Sequence, residues 1–342
     1  MRRMTVAVVL SNFNHGRYLR ESLEAIRNQT RPADEIVVVD DGSTDNSATI
    51  IDEFMQCGPN VRLIRNPRNI GLQASMAGAL PTVTAEYLVW AAADDRLLPT
   101  FLEKSMALLE RYPSSGLCFS ELSVLKGDTA EIERFATIPW LSRLYDLSNL
   151  PAYLDPSAIR DRMRHAYLPM TSNSVIVRRQ ALLELGGYPG QLEWYADSFA
   201  YTVVALRHGA CVVAETLALL RASAGSYSAS GRRSAARERA VLRSILDLLA
   251  RESYRDIRRA FRECPSNFSP YGMRMLGPQL ARARDWDLAL PYLWWILSDD
   301  PRHHVGTWPT ALTQLAARGL ASIPPLRAGV RLLRAARGRP AR

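Results

Sequence analysis

Short apolar runs that end abruptly in polar side chains recur three times within the first hundred residues. They occupy residues 5–10, 37–39 and 87–93. Continuous runs of this kind are typical of strands buried on both faces of a parallel sheet, because a half-exposed strand alternates apolar and polar residues instead. Residues 16–30, between the first two runs, carry apolar side chains at helical spacing. The pattern therefore predicts a βαβ unit with the usual right-handed crossover.

The polar residues that follow these runs are candidates for a ligand site. Ser11 and Phe13 follow the first run, Asp40 and Asp41 the second, and Asp94 the third. In an open α/β sheet, ligands bind outside the carboxyl ends of the strands, where these side chains are expected to meet. A carboxylate at the second strand tip can accept the imide N–H of uracil or thymine. The Asp-Gly-Ser segment also has ordinary turn chemistry, so both interpretations stand at this point.

Together these segments resemble the nucleotide-binding half of a family-two glycosyltransferase with the GT-A fold. The resemblance rests on the order and spacing of residues 10–45, 69–71 and 91–99. It implies an α/β protein with a Rossmann-like mixed sheet flanked by helices. In similar enzymes the residues that match Ser11, Phe13 and the aspartate pair hold the base of the nucleotide.

The resemblance also implies a reaction. Enzymes of this kind move a sugar from a nucleotide-diphosphate donor to a hydroxyl group and invert the anomeric configuration. Here a donor of the UDP or dTDP type is favoured. The expected acceptor is a glycan or a lipid-linked molecule in the synthesis of bacterial cell-surface polysaccharide or glycoconjugate.

A divalent cation, Mn²⁺ or Mg²⁺, is a further implication, and Asp94 is its expected ligand. Sugar transfer builds negative charge on the departing diphosphate, which such a cation neutralises with one or two carboxylates and phosphate oxygens as ligands. The family usually has Asp-x-Asp-Asp here, whereas this chain has Ala92 at the first position. Weaker cation binding or loss of metal dependence therefore stays open, and Asp95 can equally be a helix cap.

A second candidate region follows the Gly-Gly-Tyr segment of residues 186–188. The resemblance places the general base after it, and Asp197 is the residue that fits because Ala196 replaces the common preceding acid. A general base removes the proton of the acceptor hydroxyl as it attacks the anomeric carbon. Trp194 and Tyr195 offer apolar faces to an acceptor sugar. An acid in the first turn of a helix is also favourable against the helix dipole alone.

The charge balance favours acidic partners. The 342 residues carry a net charge of +9, and nearly all the basic side chains are arginines. A nucleotide diphosphate or an anionic membrane surface suits this charge, genomic base composition explains it equally well, and nucleic acid is not expected as a partner. Arg221 falls where related chains often have a basic residue near the diphosphate. Residues 321–339 have the pattern of a basic amphipathic helix for membrane contact, a solvated face or an oligomer contact being the alternative.

The cysteines and the hydrophobic runs indicate the compartment. Four cysteines are widely scattered and form no CxxC pair, so neither a zinc site nor a disulfide framework is expected. No segment approaches the roughly 20 apolar residues that span a bilayer. We expect a cytoplasmic protein, either soluble or peripheral to the inner membrane.

The composition changes near residue 231, which predicts two regions. We expect a GT-A domain over residues 1–230, divided into a nucleotide-binding half up to residue 113 and an acceptor half after it. Residues 231–342 form a basic, helical extension, and the oligomeric state is left open, a homo-oligomer included.

Two other functions compete with glycosyl transfer. One is a catalytically silent sugar-nucleotide-binding or scaffold protein, which the alanines at positions 92 and 196 favour. The other is a nucleotidyltransferase. Such enzymes normally begin with a Gly-rich, basic phosphate loop, and residues 11–17 do not resemble one.

Overall fold

The computed structural model describes residues 3–263, apart from residues 57, 59, 127–130, 135–146, 165–167, 223–225 and 233. The amino-terminal part contains β1 (Val6–Asn12), α1 (Gly16–Arg27), β2 (Glu35–Asp40), α2 (Ser47–Met55), β3 (Val61–Arg65), α3 (Leu72–Ala79), β4 (Tyr87–Ala92), β5 (Arg96–Leu97) and α4 (Phe101–Arg111). The following part contains β6 (Leu117–Lys126), β7 (Ile132–Arg134), β8 (Tyr153–Leu154), α5 (Pro156–Met163), β9 (Val175–Arg178), α6 (Arg179–Glu184), α7 (Ala196–His208) and β10 (Ala210–Ala222). Three helices come last: α8 (Tyr227–Arg232), α9 (Ala235–Ala250) and α10 (Arg255–Glu263).

Ten strands of the described residues form one mixed sheet. Its order is β3-β2-β1-β4-β9-β6-β10-β5, with β7 beside β6 and β8 beside β10. The first four strands are mutually parallel, and β9 is antiparallel to both of its neighbours. The register pairs Asn12 with Asp40 and Ser11 with Ala92, so the carboxyl ends of β1, β2 and β4 meet at one edge.

The core confirms the interpretation of the apolar runs. Val37, Val38 and Val39 of β2 are fully buried, as are most residues of β1. Helix α1 adds its apolar face, formed by Leu19, Leu23 and Ile26. Burying each such side chain stabilises the fold by about 1.5–3 kcal/mol, which holds the strand tips in register.

The structure departs from the sequence pattern in three segments. The pattern of apolar residues does not predict β3, which is half-buried and carries arginines. It does not predict β10 either, and the pairing of β10 with β6 is irregular around Thr216. The sequence of residues 171–177, which ends in three apolar side chains, predicts a strand throughout. Instead Ser172–Ser174 form a 3-10 turn and β9 begins at Val175. This turn brings polar side chains to the carboxyl end of β4, since β9 runs antiparallel to it.

The carboxyl-terminal expectations are tested only in part. Residues 234–263 are helical, as predicted, over most of their length. No helix among the described residues has both the length and the apolar character needed to cross a bilayer. The predicted helical extension beyond residue 263, including the basic helix at residues 321–339, lies outside the described residues.

Candidate active site

The carboxylate of Asp40 joins the loops that follow β1 and β2. Its Oδ1 accepts hydrogen bonds from the Asn12 carboxamide at 2.9 Å and from the Ser43 hydroxyl at 2.5 Å. Arg65 lies 3.6 Å from Oδ2. Asp40 is 1 % exposed, so its charge is compensated inside the protein by these neighbours. Both loops are thereby held in a fixed arrangement at the strand tips.

Asp41 organises the next loop along the sheet edge. Its carboxylate accepts hydrogen bonds from the Asn66 side chain at 2.8 Å, the Ile70 N–H at 3.0 Å and the Gly71 N–H at 2.9 Å. Burial opposes the charge, but these hydrogen bonds outweigh it and lower the pKa of Asp41. Gly71 has a φ of 90°, a left-handed conformation that favours glycine. The Asn-Ile-Gly segment therefore depends on an ionised Asp41.

Replacing Asp41 by Asn is expected to destabilise the protein by about 1–3 kcal/mol at pH 7, because the new amide cannot accept the Gly71 N–H. The lowered pKa makes this contribution complete above the ordinary aspartate pKa, and it is lost as pH falls through the folded-state value. Urea unfolding at pH 7 and at successively lower pH measures it. A gap between variant and wild type that stays constant into acid would contradict this role.

Ser11 and Phe13 occupy different environments at the end of β1. The Ser11 hydroxyl accepts a hydrogen bond from the Trp90 indole N–H at 2.7 Å. Phe13 is 38 % exposed and offers an open aromatic face. Its neighbour Asn14 has a φ of 55° and accepts the Thr44 N–H at 2.7 Å, which ties this loop to the one after β2. The exposed ring is therefore presented on a loop that is fixed on both sides.

Asp94 and Asp95 follow β4 and have opposite surroundings. Asp94 is half-buried, and within the described part of the chain its carboxylate accepts no hydrogen bond. Asp95 is buried; it accepts hydrogen bonds from the Asn173 side chain and, at 2.7 Å, from the Arg221 N–H. Burial, followed by the charge of Asp94, raises the pKa of Asp95 well above its usual range. Asp94 is thus the carboxylate that can bind a ligand, and Asp95 is part of its support.

Arg221 contacts the backbone that carries Asp94. Its guanidinium donates to the Asp94 carbonyl at 2.9 Å and to Glu21 at 2.8 Å, and it lies over the Tyr18 ring at 4.3 Å. Only 6 % of the residue is exposed. A planar guanidinium can make these hydrogen bonds and stack at the same time, which a lysine cannot. The resemblance predicts Arg221 near the diphosphate. In the structure its guanidinium contacts the backbone carbonyl of Asp94.

Asp197 begins α7 and is held by two segments. Its Oδ2 accepts the Ser172 N–H at 3.0 Å and the Ser172 hydroxyl at 2.8 Å, and its Oδ1 accepts the Ser198 N–H at 2.7 Å. Burial raises the pKa of Asp197 above its ordinary value, and these hydrogen bonds oppose the shift. Behind it, the hydroxyls of Tyr188 and Tyr201 are 3.0 Å apart. A half-buried carboxylate with a raised pKa has the properties expected of a general base.

Trp194 and Tyr195 precede Asp197 but differ in access. Trp194 is 8 % exposed, and a Cβ added to Gly231 of α8 would overlap its ring. The guanidinium of Arg237 in α9 lies 5.4 Å from the ring centre of Trp194. Tyr195 is half-buried. The carboxyl-terminal helices therefore cover most of Trp194, and Tyr195 is the more accessible of the two.

Comparison with known proteins identifies the amino-terminal region. Residues 7–160 match the family model described as Glycosyl transferase family 2. This amino-terminal part of the chain is therefore similar to glycosyl transferase family 2. A relative from Methanocaldococcus jannaschii, named an uncharacterized glycosyltransferase, is 34 % identical over 122 residues, covering 35 % of this chain and 42 % of that protein. An uncharacterized protein of Mycobacterium tuberculosis is 30 % identical over 178 residues, covering 51 % and 47 % respectively. The chain thus spans about half the length of these relatives.

Solved structures agree with the fold. S. aureus TarS in complex with UDP-GlcNAc has a TM-score of 0.55 at 16 % identity, covering 77 % of this chain and 73 % of TarS. A mannosyltransferase from Pyrobaculum calidifontis, in complex with GDP-Man and Mn²⁺, has a TM-score of 0.54 at 19 % identity, covering 96 % and 83 %. The fold is therefore the GT-A fold, as the sequence predicted.

Several residues of this site were not predicted from the sequence. Glu21 and Tyr18 lie on α1 and seat Arg221, and Ser172 and Asn173 contact the two acidic segments. None belongs to a motif with recognisable spacing. The one local indication of Ser172 and Asn173 is the polar segment Thr-Ser-Asn-Ser before an apolar strand. Its residues were predicted to be part of that strand.

Proposed function

We propose that this protein is an inverting glycosyltransferase that moves one sugar from a nucleotide-diphosphate donor to a hydroxyl of a glycan or lipid-linked acceptor. The expected setting is bacterial cell-surface polysaccharide or glycoconjugate synthesis. The observation that carries the proposal is the bridge between two carboxylate segments. Ser172 binds Asp197, and the next residue, Asn173, binds the turn that contains Asp94. A candidate base and a candidate donor-site carboxylate therefore belong to one end of the sheet.

The strand tips supply the donor site in this proposal. The exposed face of Phe13 stacks on the base, and Ser11, Asp40 and Asp41 shape the loops around it. Asp40 and Asp41 act mainly through those loops, since most of their hydrogen-bonding capacity is already used within the protein. A UDP or dTDP donor is favoured. TarS was solved with UDP-GlcNAc and the Pyrobaculum enzyme with GDP-Man, which supports a sugar nucleotide as the class.

A divalent cation fits the donor set, with Asp94 as the protein ligand. The described residues contain no cluster of three or more His, Cys, Asp or Glu side chains, so diphosphate oxygens and water must supply the other ligands. Mg²⁺ is commonly held in this way, and the Pyrobaculum mannosyltransferase was solved with Mn²⁺. When bound, the cation would offset the negative charge of the leaving diphosphate. Asp95 and Arg221 hold the backbone segment that carries the Asp94 carboxylate.

Asp197 performs the proton transfer in this mechanism. It accepts the proton of the acceptor hydroxyl as that oxygen attacks the anomeric carbon, and Tyr195 borders the acceptor. A single displacement of this kind inverts the anomeric configuration. A retaining enzyme would need a nucleophilic carboxylate beside the anomeric carbon, and Asp95 is unsuited because both its oxygens are engaged.

A panel of nucleotides provides the first test. Melting temperatures would be measured with UDP, dTDP, GDP and CDP, each with and without Mn²⁺. We expect a base-selective rise that requires Mn²⁺, because a ligand bound to the native state stabilises it by about 2.7 kcal/mol at 100 times its dissociation constant. If the melting temperature rises but the protein releases no nucleoside diphosphate from the matching sugar nucleotide, a catalytically silent sugar-nucleotide-binding protein is favoured. No rise with any nucleotide would remove the donor site.

The basic residues 321–339 suggest contact with a membrane that holds lipid-linked acceptors, and hence a cytoplasmic, membrane-peripheral protein. We expect the chain to sediment with vesicles containing anionic lipid, and a chain lacking residues 327–342 to sediment less. The attraction should weaken at high salt because exposed charges are screened. Equal sedimentation of both chains would remove the membrane contact.

A further inference from the structure

The turn of residues 172–174 connects the two acidic segments of the site. It lies directly before β9, which pairs with β4 in antiparallel register. The turn therefore reaches the carboxyl end of β4, where Asp94 and Asp95 follow. Its first two residues point their polar groups in different directions, one toward Asp197 and the other toward Asp95.

Asn173 uses both ends of its carboxamide on the β4 turn. Its Oδ1 accepts the Ala92 N–H at 3.0 Å, and its Nδ2 donates to Asp95. Only 6 % of Asn173 is exposed, so neither group has an easy replacement in water. Aspartate at this position would lose the donor and add a second charge beside Asp95. The carboxamide thus fixes the segment that carries Asp94.

Ser172 donates two hydrogen bonds to one carboxylate oxygen of Asp197. The backbone N–H and the hydroxyl both bind Oδ2, at 3.0 Å and 2.8 Å. Two donors on one carboxylate oxygen favour the ionised form and restrict rotation of the group. The other titratable groups that face Asp197 are Tyr188 and Tyr201, and burial raises the pKa of both, so they stay protonated and neutral.

We propose that Ser172 and Asn173 are positioning residues, which together set the placement of Asp197 relative to Asp94 and the ease with which Asp197 takes a proton. The inference rests on the function proposed above, and neither residue touches substrate in it. Because Ser172 and Asn173 are consecutive, a displacement of one acidic segment is transmitted to the other through a single peptide unit. Donor binding and acceptor deprotonation are coupled by this turn.

The first experiment needs no substrate. Melting temperatures of wild type, Ser172→Ala, Asp197→Asn and the double variant are measured from pH 4 to pH 9. Removing the Ser172 hydroxyl should raise the folded-state pKa of Asp197. Ser172→Ala should therefore lower the melting temperature by about 3 °C at pH values where Asp197 is ionised, and by little where Asp197 is protonated. In the Asp197→Asn background the effect of Ser172→Ala should no longer change with pH.

Two matched variants separate this coupling from a general loss of packing. Ser174→Ala removes a buried hydroxyl two residues away that contacts Thr171 and no acidic side chain. Its effect should not depend on pH. Ser172→Thr keeps the hydroxyl and should restore the wild-type profile. An effect of Ser172→Ala that is equal at all pH values, with or without Asp197, would overturn the inference.

A second experiment follows release of nucleoside diphosphate from UDP-GlcNAc and from GDP-mannose, with water as the acceptor. We expect Ser172→Ala to move the acid limb of kcat/KM upward by about 1 pH unit, since hydrogen bonds to a charged group are strong. Asn173→Ala should raise the donor KM by about 10-fold more than Ser174→Ala does. If Asp197→Asn turns over as wild type does, the proposed function fails. If Asp197→Asn is inactive and the limb in Ser172→Ala is unmoved, this inference alone fails.

Discussion

Replacing Asp197 by Asn is expected to lower the rate of sugar transfer by about 100- to 10,000-fold, the usual contribution of a general base. The amide has nearly the same shape and can still accept the two hydrogen bonds of Ser172. It cannot take a proton from the acceptor. Nucleotide affinity should therefore change little, since the donor site lies at the strand tips. Initial rates and nucleotide titrations on the same preparation measure both quantities.

The pH dependence of the transfer rate tests the role of Asp197 independently. Burial raises the pKa of Asp197, so the protonated, inactive form persists to higher pH than for an ordinary aspartate. The rate should rise with pH through that raised pKa and then level off, and Asp197→Asn should lack this limb. Asp161→Asn is a suitable control, because Asp161 is exposed and pairs with Arg164, three residues further along the chain. A full rate in Asp197→Asn would exclude this residue as the base.

Replacing Asp94 by Asn is expected to abolish the Mn²⁺ dependence of nucleotide binding. Asp94 is the one carboxylate of the Asp-Asp pair whose oxygens are available in the described structure. Loss of a direct ligand should exceed the about 10- to 100-fold loss typical of residues that only support a ligand. Calorimetric titration of the nucleotide selected by the panel, with and without Mn²⁺, measures the effect.

The matched control for Asp94 is again Asp161→Asn, which removes an exposed carboxylate that pairs with Arg164. Its cation dependence should equal that of wild type. If Asp94→Asn also keeps a wild-type response to Mn²⁺, then the replacement of the usual first acid by Ala92 marks a protein whose nucleotide site works without Asp94 as a cation ligand.

The agreement between pattern and structure is closest where one face of an element decides its position. The run of Val37–Val39 lies on an interior strand of the sheet, between β3 and β1, and is fully buried there. Helix α1 shows the same logic with a 3.6-residue period. The candidate residues Asp40, Asp41 and Asp94 follow from this, because a parallel sheet brings its strand ends together.

The pattern failed where a residue's role depends on a partner distant in the chain. Asn173 and Asp95 are 78 positions apart, and Arg221 and Asp94 are 127 apart. The polar turn at residues 172–174 was assigned to a strand because its apolar continuation dominates the local pattern. The cover over the ring of Trp194 likewise comes from distant residues, Gly231 and Arg237 of later helices, and its contact with an acceptor stays a prediction.

The sequence by itself determined the succession of buried strands and amphipathic helices, and with it the edge at which Ser11, Asp40 and Asp94 meet. Periodicity and burial are local properties, so they can be read residue by residue. Only the tertiary structure decided which carboxylates accept hydrogen bonds from other described residues and which one does not. Asp95 is occupied by Asn173 and Arg221, and hydrogen bonds of this kind depend on the antiparallel return of β9 and the parallel course of β10 across the sheet. The chemistry available to each acid follows from that packing, because a carboxylate's charge and reach are set by the groups around it.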